Sequence, residues 1–446
     1  MVSPAPTAAD DHINALLDSL GPFGVDLNLH RMDRLLGAMG DPQRRVPTIH
    51  VAGSNGKGSV CAYLAAVLAQ AGYRVGRYTS PHLVSWRERI EVNGRAIAAL
   101  DLRQGLERVM ASIDGSQPSP TQFEVFTAAA WQYFADSAVE VAVMEVGLGG
   151  RLDATNVVAD PLVTIITSLS REHWQQLGPT LADIAQEKAG ILKPGCPAVI
   201  GPLPPEAEAV VKHQLQHLGC PVLWPSPAVR QEDGTACFTL GDYQITHSLP
   251  LLGDHQLVNA ALAIAALQVL RQQGWRITDG AIQQGMALTQ WPGRLQWVKW
   301  LDATDPSHPL LVDGAHNPAA ALELRRHVDQ WWAPGGEPAG PTQWLVGMLA
   351  TKDHADIFRA LLRPGDFLYL VPVPGHQSAD PVALGAIASK LCPQLQHCQG
   401  YASLTAGLRA MTEEPGPLRV LCGSLYLIGD FLTSHRFTPI SDPRVQ

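Results

Sequence analysis

The sequence predicts an α/β fold, with an N-terminal domain on a mostly parallel sheet of the phosphate-loop type and a smaller Rossmann-like α/β domain after it. Three observations predict it. Short apolar, often β-branched runs alternate with helical stretches along the chain. One strand-to-helix turn, Gly53-Ser54-Asn55-Gly56-Lys57-Gly58-Ser59, is rich in glycine. The 446 residues exceed one ordinary core, and the α/β rhythm restarts after the Pro292-Gly293 pair.

In chain order, the apolar runs 48–52, 74–78, 139–146, 162–167 and 198–201 are expected as strands. The segments 58–71, 121–135, 181–189 and 206–218 are expected as the helices between them. Residues 229–252 alternate in polarity and turn at Gly241-Asp242, which predicts a small antiparallel hairpin appended to the sheet. A long helix follows over 255–273. WPGRLQW, Trp291 to Trp297, then marks a domain boundary, giving units 1–293 and 294–446. Beyond it, LLVDGAHNP, QWLVGML, DFLYLVPV and LRVLCGS are apolar runs that end in small or polar residues, as strands of a second sheet do. The Pro- and Gly-rich stretch 332–342 is expected as an exposed connection. Ligands are expected at the carboxyl ends of the strands, in the cleft between the two units.

Composition narrows the class of function. Hydrophobic residues are 46% and charged residues 16% of the chain, which suits a folded enzyme and argues against disorder. The net charge of -9, without a Lys/Arg-rich run, excludes nucleic acid as the main partner. An anionic substrate therefore needs a local basic site. Seven cysteines without a CxxC pair fit a reducing compartment and neither a disulfide framework nor a zinc site. The start MVSPAPTAADDH lacks a signal-peptide pattern, and no apolar run approaches ~18 residues. A cytoplasmic protein with no membrane partner is expected.

The glycine-rich turn carries the first chemistry. It departs from the usual phosphate loop twice, with Val51 in place of glycine and Gly58 in place of Ser or Thr. A strand-to-helix turn of this kind still aims backbone N–H groups and a helix dipole at one point, which suits phosphate. Lys57 can reach terminal phosphates and Ser59 can offer a hydroxyl. The bland alternative is a glycine-rich turn with a surface lysine. Glu145 ends the apolar run 139–146 and is suited to Mg²⁺, or else is satisfied by nearby backbone N–H groups. His173 lies just past the next strand, as a ligand or a structural histidine. Lys188 shares a helical face with Ile184 and Ile191, so it is expected to be at least partly buried, as a snorkelling or ion-paired side chain or as a lysine of lowered pKa. Asp313, His316 and Asn317 stand at the tip of the first strand of the second unit, with Asn317 also suited to cap a helix starting at Pro318. Arg294 in the hinge can clamp a phosphate as the units close, and Lys352 and Asp353 end the following strand in the same manner.

In order and together, these pieces resemble the Mur ligase superfamily, and within it closely resemble folylpolyglutamate synthase/dihydrofolate synthase. The matching stretches are HVAGSNGKGSV, SPHLVSWRERIEVNG, EVGLGGRLDATN, HWQQLGPTLADIAQEKAGI, GDHQLVNAALA, WPGRLQ, VDGAHNPAA and LCGSLYLIGD, from about residue 46 to 429. The resemblance implies an ATP-dependent amide ligase that adds L-glutamate to dihydropteroate, to the γ-carboxylate of a reduced folate, or to both, through an acyl phosphate. Carried over by motif, Ser54, Asn55, Gly56, Lys57, Gly58 and Ser59 hold the phosphates. Ser80, Glu145 and His173 bind Mg²⁺, two ions in all. Lys188 matches a lysine that the family carbamylates. Asn259, Arg294 and Asp313 match ATP contacts, and Lys57, Lys188 and His316 match catalytic positions. Gln122, Phe123, Glu124 and Asp153, with Asp26 as a weaker match, are the positions for the pterin substrate. The resemblance also implies a monomer acting on small molecules. Two departures stand out: Ser54 replaces the usual Thr, and Glu172 replaces the usual Asp before the metal histidine. Another Mur-type amino-acid ligase is the neighbouring reading, and a nucleotide-dependent switch is the reading from a different class.

Overall fold

The computed structural model describes residues 8–20, 28–301, 309–332, 340–413 and 418–443. Asp26 and most of the expected connection at 332–342 lie outside the described residues.

Among the described residues the strands form three sheets. The first contains β1 (Thr48–Ala52), β2 (Val75–Tyr78), β3 (Ile90–Val92), β4 (Arg95–Ala96), β5 (Val141–Glu145), β6 (Val163–Ile166), β7 (Ala198–Ile200) and β8 (Val222–Leu223). Their spatial order is β4-β3-β2-β5-β1-β6-β7-β8. The strands from β2 across to β8 run parallel, while β3 and β4 fold back antiparallel at the edge. The turn between those two is Asn93-Gly94, both with positive φ, the geometry a tight hairpin requires. β1, β5 and β6 are buried along their whole length, as central strands covered on both faces are, and they bury the polar Thr48, His50 and Thr164 with their apolar neighbours.

Helices cover both faces. Lys57–Gln70, His255–Gln272 and Asp279–Leu288 pack on one side, with Val60, Leu64, Ile264 and Ile282 in the core. Ala99–Ala111 and Gln122–Asp136 pack on the other, around Trp131, Phe126 and Phe134. Full burial of each such large side chain contributes about 1.5–3 kcal/mol against the conformational entropy of ordering it. From β1 the chain proceeds to β2 on one side, and later strands fill the other side with β6, β7 and β8. The crevice outside the carboxyl ends of β1, β5 and β6 is therefore the place where a parallel sheet offers a ligand site.

The expected appended hairpin differs in one respect. β9 (Val229–Arg230), β10 (Ala236–Leu240) and β11 (Tyr243–His247) form an antiparallel sheet of their own rather than extending the first. The edge strand β8 has two residues, too short to template another strand. The hairpin buries Phe238 and Ile245 in the same core as helix His255–Gln272. Side-chain packing, not ladder hydrogen bonds, attaches it.

The third sheet contains β12 (Gln296–Trp300), β13 (Leu310–Val312), β14 (Gln343–Val346), β15 (Phe367–Leu370), β16 (His397–Gly400), β17 (Arg419–Cys422) and β18 (Phe437–Pro439). Its order is β16-β15-β14-β17-β13-β12-β18. β13 to β17 are parallel, and β12 is antiparallel to both β13 and β18. The carboxyl ends of β13, β14 and β17 lead into residues that line the same cavities as the ends of β1, β5 and β6. No helix among the described residues is long and apolar enough to cross a membrane.

Candidate active site

The glycine-rich turn joins β1 to helix Lys57–Gln70, with Gly56 at the helix N-cap in a left-handed conformation, φ +89°. A Cβ there would come within 2.4 Å of Asn259 Oδ1, so the sequence needs glycine for the conformation and for the approach. Gly58 is required for a different reason: a Cβ would lie 2.5 Å from the Trp291 ring. The end of β6 braces the turn. Thr167 Oγ1 and Ser168 Oγ donate to Asn55 O at 2.6 and 3.0 Å, and Ser54 Oγ accepts from Ser170 N at 3.0 Å. Ser59 Oγ accepts from Gln256 Nε2 at 3.2 Å. Lys57 Nζ and Lys188 Nζ both donate to the carbonyl of Gly53, each at 2.9 Å. Two buried-facing amines thus meet at the mouth of a turn whose helix dipole is also positive. The local basic site that the acidic chain needs is here.

Opposite the amines stands Glu145 at the tip of β5, 5% exposed, accepting from Ser80 N at 3.3 Å. Burial pushes its carboxyl pKa up, with Lys57 pulling the other way. His173 follows β6 in a left-handed conformation, φ +45°, at the start of helix Trp174–Leu177. Burial lowers its pKa to about 4, so the imidazole is neutral near pH 7 and able to accept a metal. Ser80, Glu145 and His173 line one cavity. Among the described residues no three His, Cys, Asp or Glu side chains gather as a metal cage. Mg²⁺ does not need one, because it is usually held by one or two carboxylates together with phosphates and water. A carboxylate and a hydroxyl beside a phosphate turn fit that ion.

Glu172, the departure noted in the sequence, does not simply point to solvent. Its Oε1 lies 2.8 Å from Lys188 Nζ, and both side chains are almost wholly buried. Burial pushes the carboxyl pKa up, but Lys188, Lys57 and His173 together outweigh it and hold Glu172 well below the ordinary range. The short contact pairs the two groups, while burial lowers the pKa of Lys188 against the pull of Glu172.

The second unit brings its own residues to the same place. Asp313 Oδ2 accepts from Leu295 N and Oδ1 from Ala315 N, both at 2.8 Å, so it grips the linker next to Arg294. Arg294, Asp313 and Asn259 line the cavity with the phosphate turn. Asn317 caps helix Pro318–Trp332 through Oδ1 to Ala320 N at 2.8 Å, and its Nδ2 donates to Asn55 Oδ1 at 2.9 Å. Asn317 is thus the helix cap that the sequence allowed, and it also bonds across to the phosphate turn. His316 Nδ1 donates to Gly314 O at 2.8 Å, leaving Nε2 as an acceptor, and burial lowers its pKa to about 3. Trp174 Nε1 donates to Asp353 Oδ1 at 3.1 Å, another bond between the two units.

Two sizeable cavities among the described residues meet here. One, about 390 Å³, holds the phosphate turn, Glu145, Lys188, Arg294 and Asp313. The other, about 340 Å³ and largely apolar, is lined by Phe123, Leu148, Leu152, Leu349 and Tyr426, with Arg89, Glu124 and Asp153 among its polar members. Each has room for one small molecule. Asp153 is committed to Thr155 and Leu148 N, and Glu124 to Arg31 and Thr121 N. Gln122 is buried with Oε1 lacking a hydrogen-bond partner, and it lines neither cavity.

Sequence reasoning left Gln256, Trp291 and Arg89 without roles. Trp291 had a readable signal, since the unusual Gly58 requires something large beside it. Gln256 lies one helical turn before Asn259 and shares its face, a spacing available in the sequence. Nothing in the sequence signals that Arg89 is buried.

Comparison with known proteins adds a separate line. Residues 51–267 match the model of the Mur ligase middle domain, and residues 296–434 match that of the dihydrofolate synthetase C-terminal domain. A probable dihydrofolate synthetase of Schizosaccharomyces pombe is 36% identical over 91% of this chain and 97% of its own. A folylpolyglutamate synthase of Lacticaseibacillus casei is 36% identical over 89% of this chain and 92% of its own. The solved structure of Escherichia coli FolC in complex with DHPP and ADP superposes with a TM-score of 0.81 at 29% identity, covering 96% of this chain and 99% of that one.

Proposed function

The chain belongs to the dihydrofolate synthase/folylpolyglutamate synthase family of Mur-type ligases, and from that membership we propose how its two cavities divide one reaction. It is an ATP-dependent ligase. The carboxylate of dihydropteroate, or the γ-carboxylate of a reduced folate, takes the terminal phosphoryl group of ATP and becomes an acyl phosphate. The α-amine of L-glutamate attacks the acyl carbon, and the tetrahedral adduct loses a proton and phosphate to leave the amide. The protein would act as a cytoplasmic monomer on these small molecules.

The observation that carries this reading is the junction. Ser80, Pro81, Gly147, Leu148, His173, His316 and Leu425 line both cavities. A nucleotide in the polar cavity and a flat apolar acid in the other would meet at these residues. The solved structure of the E. coli neighbour is in complex with DHPP and ADP, which supports two ligands bound at once.

Ser54 to Ser59 would cradle the phosphates through backbone N–H groups, with Lys57 on the terminal one and Asn259, Arg294 and Asp313 around the nucleotide. Ser80, Glu145 and His173 would hold Mg²⁺, which when bound neutralises and aligns the phosphate oxygens. Phe123 and Asp153 would contact the pterin end. His316, neutral with Nε2 at the junction, is too weak a base to deprotonate an ammonium, so it orients the attacking amine by accepting a hydrogen bond.

We read Lys188 as an unmodified amine rather than as the carbamate that the resemblance implies. The amine is occupied by Glu172 and Gly53 O, and a carbamate would set a second carboxylate against that of Glu172. Lys188 as an ammonium contributes positive charge to the phosphate site instead.

Phosphate release with ATP and Mg²⁺ tests the function, comparing dihydropteroate plus glutamate with tetrahydrofolate plus glutamate. Glutamate-dependent release is expected with at least one pair, and its absence with both rejects the reading.

A further inference from the structure

Arg89 is a buried cation without a carboxylate partner among the described residues. It is 3% exposed, and it takes part in none of the ion pairs among the described residues. Among the described residues the only side-chain hydrogen bond of its guanidinium is from Nε to His82 Nδ1, at 2.9 Å. Its plane is fixed by aromatic rings, with the guanidinium carbon 4.2 Å from the centre of Trp86 and 5.7 Å from that of Phe126. Glu88, its neighbour in sequence, is taken by the backbone N–H groups of Leu83, Val84 and Ser85. A charge this deep is costly unless an anion meets it. Arg89 lines the apolar cavity and not the nucleotide cavity, so the anion belongs to the acid substrate and not to ATP.

Position narrows the choice further. Arg89 O accepts from Thr79 N at 3.0 Å, one residue before Ser80, which lines both cavities. The guanidinium therefore starts from the reacting end of the apolar cavity. Dihydropteroate has one carboxylate, and that one is consumed in the reaction. A reduced folate has two, and the α-carboxylate that does not react is separated by only two methylenes and one methine from the γ-carboxylate that does.

Resting on the reading above, we propose that Arg89 recognises the unreacting α-carboxylate of a glutamylated folate, so that this chain extends folates already bearing glutamate. A planar guanidinium, held by two rings and one imidazole, offers its Nη groups for a bidentate contact with little ordering left to do.

The test uses the full chain. Steady-state KM and kcat are measured for dihydropteroate, tetrahydrofolate and the α-carboxamide of tetrahydrofolate, in wild type, R89K and R89Q. R89Q is expected to raise KM for tetrahydrofolate about 10- to 100-fold more than KM for dihydropteroate, the range for a lost charge-assisted pair. Wild type is expected to bind the α-carboxamide worse than tetrahydrofolate by a similar factor, and R89Q to discriminate little between them. R89K is expected to fall between, because it keeps the charge and loses the fork. Equal losses for dihydropteroate and tetrahydrofolate, a loss confined to KM for glutamate, or no wild-type preference for the carboxylate over the carboxamide would overturn the proposal. The carboxamide comparison needs no variant, so a misfolded R89Q leaves the test intact. Turnover of dihydropteroate alone keeps the general function and rejects this extension of it.

Discussion

The indole of Trp291 occupies the space that a side chain on residue 58 would need, 2.5 Å from the place of its Cβ. The second departure from the usual phosphate loop is thereby a packing constraint between the turn and the linker to the second unit. Gly58→Ser, which restores the usual hydroxyl, is expected to destabilise the protein by about 1–3 kcal/mol through overpacking. Adding Trp291→Ala should recover part of that loss. Thermal melts of the single and double variants measure it, and strictly additive losses would contradict the contact.

Lys188 and Glu172 are expected to depend on each other. Lys188→Ala leaves a buried carboxylate uncompensated and should cost about 3–5 kcal/mol by denaturant titration. It should also reduce turnover more than nucleotide affinity. In carbon-13 bicarbonate the wild-type protein should give no carbamate resonance, and such a signal at Lys188 would refute the ion-pair reading.

Glu124 is expected to act chiefly as structure. It closes a buried pair with Arg31 and completes the capping box of helix Gln122–Asp136 with Thr121. Glu124→Ala should lower stability by about 3 kcal/mol or more. A stable variant with a raised KM for the pterin substrate would instead assign it to binding.

His50 gives a pH dependence. It is buried in β1, and burial, helped by Lys193, lowers its pKa from 6.5 to about 3. The unfolded chain therefore binds a proton that the folded chain refuses. Stability is complete above about pH 6.5 and falls as pH drops toward 3, by about 1.4 kcal/mol per unit for this group. His50→Gln should make the acid limb of a stability-versus-pH curve shallower, and an unchanged slope would show that His50 does not drive it.

Lys57→Ala removes the amine at the terminal phosphate position, and kcat for phosphate release should fall about 10²- to 10³-fold. A fall of less than about threefold would place Lys57 outside the reaction.

How much of this was legible in the sequence follows physical lines. β1 and helix Leu181–Ala189 fall where the apolar pattern puts them, because strands buried on both faces and capped amphipathic helices announce themselves. β12, β16 and β18 went unread. β16 and β18 are short edge strands partly exposed to solvent, and β12 begins inside the punctuation WPGRLQW. The β3-β4 hairpin had a signal in Asn93-Gly94 that was passed over. In the site, residues at strand ends such as Glu145 and Asp313 could be found from position. The pairing of Lys188 with Glu172 could not, because it joins two side chains whose distance depends on how a loop and a helix settle together.

The two side-chain amides of Asn55 and Asn317 join the phosphate turn of one unit to a helix start of the other. A nucleotide seated at that turn would touch residues of both units, Asn259 from one and Arg294 and Asp313 from the other. Its binding free energy would therefore also hold the seam together, and by linkage a tighter seam would bind it more tightly in the same proportion.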